Sequence, residues 1–263
     1  MHLLRPMERT VGVETNKLNN FTSKKISQIN KKINLKLNKI KFKFDIKELS
    51  IFLETTNPSI TFRENLIPAN KIKVYIDFFS LIKTAPQIRK INIISDEIDI
   101  SEVKDLSKAF KPSNLKDLIN NNIKKGKLNL NIEFFLSREN MIDNFIATGS
   151  VIALEAKLKE NFKLTNTNFD FFADKTDILI KNIFGKIDLI NISEGDVRID
   201  LSEAITINSN FSSDLKFQEK SFGKYNKLFS NLKFLENIDY IDAQLNNNFS
   251  INFDKTYKIK KFD

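Results

Sequence analysis

The sequence predicts a mainly β protein, an antiparallel meander with a few amphipathic helices. Apolar and polar residues alternate with period two through most of the 263-residue chain, as half-buried strands require. Only two long stretches space their apolar residues at the helical period. With 41% hydrophobic residues, 24 of them Phe among the apolar set, the chain holds ample surface for a folded core.

In residues 16–33, Leu18, Phe21, Ile26, Ile29 and Ile33 lie near one helical face, and Lys24, Lys25, Lys31 and Lys32 lie largely elsewhere. Such a helix packs on a sheet or lies on a membrane surface. The period then becomes two, with Leu35 and Leu37, then Ile40, Phe42 and Phe44 after a slip, then Leu49, Ile51 and Leu53. The slip predicts a β-bulge at Asn38 and Lys39. Asn57 and Pro58 mark a turn, Ile60 and Phe62 a short strand, and Ile72, Val74, Ile76 and Phe78 a longer one backed by Lys71, Lys73 and Tyr75. Residues 79–85 read as a helical turn, 88–94 and 97–100 as strands, and 104–110 and 114–123 as short helices around Pro112.

Beyond Gly126 the alternation resumes in Leu128, Leu130, Ile132 and Phe134, then from Phe145 to Val151, with a phase shift predicting a bulge near Ala153. Strands follow at 162–172, 178–183, 187–192, 197–201, 205–211 and 215–217, with Asp174, Gly185 and Gly195 read as strand-end punctuation. A helix at about 222–235 is expected to cap a sheet edge, and Ile241 to Phe253 form the last long strand. The expected division is a disordered or remnant N-terminus at 1–15, a helix plus β segment at 16–111, and a helical joint plus second β segment at 112–263.

The charge balance of 42 Lys and Arg against 33 Asp and Glu gives +9, which draws the surface toward anionic membranes or nucleic acid. The cations are mostly Lys, which favours diffuse attraction over bidentate contacts. Alternation places the Phe of Lys41-Phe42-Lys43-Phe44 opposite the Lys, an arrangement unsuited to stacking bases while neutralising phosphates. There is no Cys, the only His is His2, and no glycine-rich phosphate motif is present, so no catalytic residue, metal site or cofactor is expected. No run approaches the ~18 apolar residues of a spanning helix, and Arg5, Glu8 and Arg9 interrupt any signal-peptide core.

Residues 34–106, with Leu35-Lys36-Leu37, Leu49-Ser50-Ile51, the strand from Ile72 to Phe78 running into Phe79-Ser80-Leu81-Ile82, and then Gln87 to Ile93, resemble the N-terminal region of the AsmA/TamB-like family of bacterial envelope proteins. Gly126 to Leu130, Thr148 to Val151, Gly185 to Leu189 and Gly195 to Ile199 are similar to the Gly-initiated strands of that family's repeating β-groove. The resemblance implies an extended, strongly curved antiparallel sheet forming an elongated groove that shields phospholipid acyl chains, on the periplasmic side of the inner membrane. It also implies an N-terminal anchor, where this chain has only the charged stretch from Met1 to Thr10.

Exposing a ~16-carbon chain to water costs on the order of 12 kcal/mol, at about 0.8 kcal/mol per methylene, and a continuous apolar lining removes much of this without any catalytic group. Candidate lining residues are Val74, Ile76, Phe78, Leu128, Leu130 and Val151, and further along Phe169, Phe171, Ile205, Ile207, Phe249 and Ile251. Alternation equally fits a closed core, the arrangement of an envelope scaffold that holds other proteins.

Overall fold

The computed structural model describes residues 33–45, 50–63, 65–77, 80, 87–108, 114–139, 141–158, 162–202, 204–218, 240–254 and 259–262. The helices expected at 16–33 and 222–235, most of the turn at 79–85, Pro112 and Phe78 lie outside these residues. The protein is mainly β: thirteen strands form one antiparallel sheet that is not closed into a barrel, and three form a second sheet. By its internal packing the chain divides into two units, residues 1–116 with 128–149, and residues 117–127 with 150–263.

In the first unit, β1 (Ile33–Lys36), β4 (Ser59–Phe62) and β5 (Asn65–Ile67) form the small sheet, in the order β1-β4-β5. The large sheet contributes β2 (Ile40–Asp45), β3 (Ser50–Thr56), β6 (Lys71–Ile76) and β7 (Ile88–Ile94), and β7 pairs with β9 (Ile123–Leu136). The short β8 (Ile98–Asp99) also pairs with β9 and leads into α1 (Ile100–Lys108), while α2 (Asn114–Asn122) precedes β9. In α1, Glu102 accepts a hydrogen bond from the Asp99 amide at 3.0 Å, satisfying a donor at the helix start.

Cross-strand partners share a face, so register decides what is buried. One row runs Phe42–Leu53–Val74–Ile91–Phe134 through five strands. Leu53, Val74 and Ile72 from this face join Leu35 and Ile60 of the small sheet in one buried cluster, the two sheets closing a sandwich core. The opposite face carries the row Lys43–Phe52–Tyr75–Lys90–Phe135. There Lys43 pairs with Glu54 at 3.0 Å, Lys90 pairs with Glu133 at 3.3 Å, and the Phe52 and Tyr75 rings stack at 5.1 Å.

The phase slip after Leu37 is not a bulge. The chain leaves the small sheet at Lys36 and enters the large one at Ile40, and the Asn38 amide donates to the Asn57 carbonyl at 2.6 Å across the crossing. A change of sheet and a bulge leave the same phase signature, because both insert residues without a ladder partner.

The second unit contains most of β10 to β16: β10 (Ile142–Lys157), which also lends a stretch to the first unit, β11 (Lys163–Ala173), β12 (Asp177–Ile187), β13 (Ile190–Asp200), β14 (Thr206–Gln218), β15 (Tyr240–Phe253) and β16 (Ile259–Phe262). Neighbours from β11 onward pair in sequence order. Ala153, Asn166 and Asn182 have positive φ of 52°, 48° and 54° inside strands, and the β11–β12 register shifts on both sides of Asn168. The Ala153 amide donates to the Asn168 side chain at 2.7 Å. Gly185 and Gly195 are not at strand ends, as the sequence reading has them. They lie inside β12 and β13, and the turn after β12 falls at Asp188, φ 51°.

Thr55 pairs with Ile40 and Ile72 on the core face, and its hydroxyl is buried with no hydrogen-bond partner among the described residues. An unpaired buried hydroxyl costs about 1–3 kcal/mol. Thr55→Val is therefore expected to stabilise the protein by about 1 kcal/mol in urea unfolding, and a loss of stability would show that the hydroxyl is satisfied.

Candidate functional site

The bulges decide which side chains meet in the second unit. On β12 the apolar phase changes from Ile178 and Ile180 to Ile183 and Ile187, and the bulge at Asn182 absorbs the change. On β13 the phase changes between Ile192 and Val197, and the β13–β14 register shifts between Ile192 and Glu194. Without these insertions half of each strand would turn its apolar residues to the other side.

With them, five strands present one apolar face. One row runs Phe171–Ile180–Val197–Ser209–Phe249 and a second Ala173–Ile178–Ile199–Ile207–Ile251. The Phe211 and Phe249 rings stack at 6.1 Å on this face. Gly195 is opposite Phe211, whose ring occupies the space a β-carbon on Gly195 would need, and Thr167 fills the same space over Gly185. The glycines are therefore small to admit these side chains, not to turn the chain. The face is half-buried: Phe169, Phe171, Ile178, Ile207, Phe249 and Ile251 each keep part of their surface exposed.

The other face is mostly polar, with Phe172 exposed on it. Arg198 stands in the row Phe172–Leu179–Arg198–Asn208–Ser250, and Asp196 opposite Asn210, itself opposite Asn248. Leu179, Arg198, Asn208, Ser250, Asp196, Asn210 and Asn248, together with Ser209 and Phe249 of the apolar rows, line a shallow depression of about 460 Å³. Arg198 makes two hydrogen bonds to the Asp177 carboxylate, at 3.1 and 3.3 Å, and these raise its pKa. The Tyr240 hydroxyl and then the Lys216 ammonium hold Asp242 below the usual carboxylate range, and hydrogen bonds from Ser202 do the same for Asp200. Each of these shifts reinforces the group's ordinary charge at neutral pH. Among the described residues no cluster of three acidic or imidazole side chains is placed to hold a metal ion.

Of the sequence-predicted lining residues, Phe169, Phe171, Ile207, Phe249 and Ile251 share the apolar face, and the Ile205 carbonyl, accepting from the Phe253 amide at 2.8 Å, continues the same ladder. Val74 and Ile76 belong to the closed core of the first unit, 3% and 6% exposed. Leu128 and Leu130 continue the face of Ile132 by alternation, and Val151 is half-buried on β10. Sequence reasoning missed Ile178, Ile180, Val197, Ile199 and Phe211 as members of the face. Their alternation was visible, but the mid-strand phase changes hid which side they share.

Comparison with known proteins gives no match among family models, curated proteins or solved structures. No helix among the described residues is long and apolar enough to cross a membrane.

Placing a side chain at Gly195 must displace the Phe211 ring. Gly195→Val is expected to destabilise the protein by about 1–3 kcal/mol in urea unfolding, the range for overpacking a filled site. An unchanged midpoint would mean that the ring does not rest on Gly195.

Proposed function

We propose that this protein binds phospholipid acyl chains on the apolar face of β11 to β15 and handles or transports them in the bacterial envelope without catalysing a reaction. The observation that carries the reading is the register: cross-strand pairing brings Phe171, Ile180, Val197, Ile207, Phe249 and Ile251 to one side and leaves Arg198, Asn208 and Asn248 on the other, and the bulges on β12 and β13 keep Ile187, Ile190 and Ile192 on the apolar side. An acyl chain needs non-directional contact along its length, and a row of half-exposed Ile and Phe supplies it. The net charge of +9 favours approach to an anionic membrane surface.

The sequence resemblance to AsmA/TamB-like proteins extends the reading to a sheet that forms a groove, to the periplasmic side of the inner membrane, and to outer-membrane lipid homeostasis or assembly. Nucleic acid is the less fitting anionic partner, because the cations are mostly Lys, which favours diffuse attraction over the bidentate phosphate and guanine contacts that Arg makes. A second reading, an envelope scaffold that holds other proteins, is favoured by the first unit, where Val74 and Ile76 are sealed in a sandwich core.

The test is transfer of a fluorescent phospholipid between vesicles by Phe171→Asp and Ile207→Asp variants, with Asn208→Asp on the opposite face as control. Burying a carboxylate against an acyl chain is costly, so the first two are expected to slow transfer about tenfold and the control to leave it unchanged. Equal transfer by all three folded variants would exclude the apolar face as the lipid path.

A further inference from the structure

The first unit holds a solvent-connected cavity of about 600 Å³ at the ends of β3, β6, β7 and β9, lined by Ser50, Tyr75, Lys90, Glu133 and Phe135 of the charged face and by Ile76 and Leu136 of the core side. Arg89 and Lys90 both line it, although consecutive residues of a strand ordinarily point to opposite sides. The register explains this. Tyr75 pairs with Lys90 but Ile76 pairs with Ile88, so Arg89 is the extra residue of a bulge and escapes the alternation. Two adjacent cations thus reach one cavity.

The rest of the cavity is built around them. Lys90 is 8% exposed, lies 4.3 Å from the centre of the Tyr75 ring, and pairs with Glu133 at 3.3 Å. Arg89 is exposed and has no ion-pair partner among the described residues. The Ser50 hydroxyl, at the start of β3, is buried and has no hydrogen-bond partner among the described residues. A buried hydroxyl and a guanidinium at one cavity, between Tyr75 and Phe135 rings, form donors for an anion beside an apolar wall. Arg89, Lys90 and Glu133 together leave one net positive charge.

We infer that this cavity binds a phosphodiester anion, the head-group end of a phospholipid, through Arg89 and Ser50 with Lys90 fixed behind them. The inference rests on the lipid-handling reading and adds to it a head-group site in the first unit. Bidentate Arg contacts account for recognition, and the single positive charge matches the single negative charge of a phosphodiester.

Isothermal titration of the full chain with water-soluble dihexanoyl phosphatidylglycerol, uncharged dihexanoylglycerol and dimethyl phosphate tests this. Phosphatidylglycerol is expected to bind, with Arg89→Gln weakening it about tenfold, Ser50→Ala weakening it less, and Lys157→Gln, at an exposed lysine outside the cavity lining, leaving it unchanged. Dimethyl phosphate bound more weakly, with the same sensitivity to Arg89→Gln, supports a lipid head group. Dimethyl phosphate bound as tightly supports the anion site with a free phosphodiester as its ligand. Equal binding of phosphatidylglycerol by wild type and Arg89→Gln, or no binding of either phosphodiester, overturns the inference. Dihexanoylglycerol reads the acyl-chain proposal separately: its binding without any gain from the phosphate leaves that proposal standing while this one falls, and phosphodiester binding through Arg89 without it does the reverse.

Discussion

Each strand of the second unit has only two sides on which to place its residues, and the register between neighbours makes one choice bind all the others. From β11 to β15 every Phe and Ile of the apolar rows is held in place by a cross-strand partner. The choice survives the irregular sequence because bulged residues absorb each change of phase. Asn166 and Asn182 suit these positions, since Asn tolerates positive φ better than other non-glycine residues do. Gly185 and Gly195 then let Thr167 and Phe211 settle against the neighbouring backbone.

The same rule gives a different outcome in the first unit. There the row from Phe42 to Phe134 meets Leu35 and Ile60 of a second sheet, and the apolar side is closed. Its reverse side is ordered by paired charges and rings, with Glu54 5% exposed between Lys43 and Lys71. A carboxylate so buried is tolerable only because two ammonium groups flank it. The two units thus use one alternation pattern for two purposes, a sealed core and a face that keeps part of its apolar surface exposed.

The mainly β character was legible in the sequence because alternation is a local property of neighbouring residues. The strands around Ile72, Ile88 and Thr206 could be read for that reason. Which residues share a face was legible only in part, since it depends on partners distant in the chain. Phe171 and Phe249 were named as companions, yet Ile180 and Val197, which lie between them, were not. The sheet change at Asn38 looked like a bulge, and Val74 looked like Ile207 although one is sealed and the other half-exposed. The cavity at Arg89 left no periodic trace, because a bulged residue is by nature an exception to the period.

The claim on which the account turns is that the half-exposed apolar face receives acyl chains. Native mass spectrometry of the full chain purified from a bacterial host, with organic extraction of bound material, addresses it most directly. The account predicts phospholipid at a reproducible stoichiometry. A folded protein that carries no lipid would contradict it and leave the scaffold reading in its place.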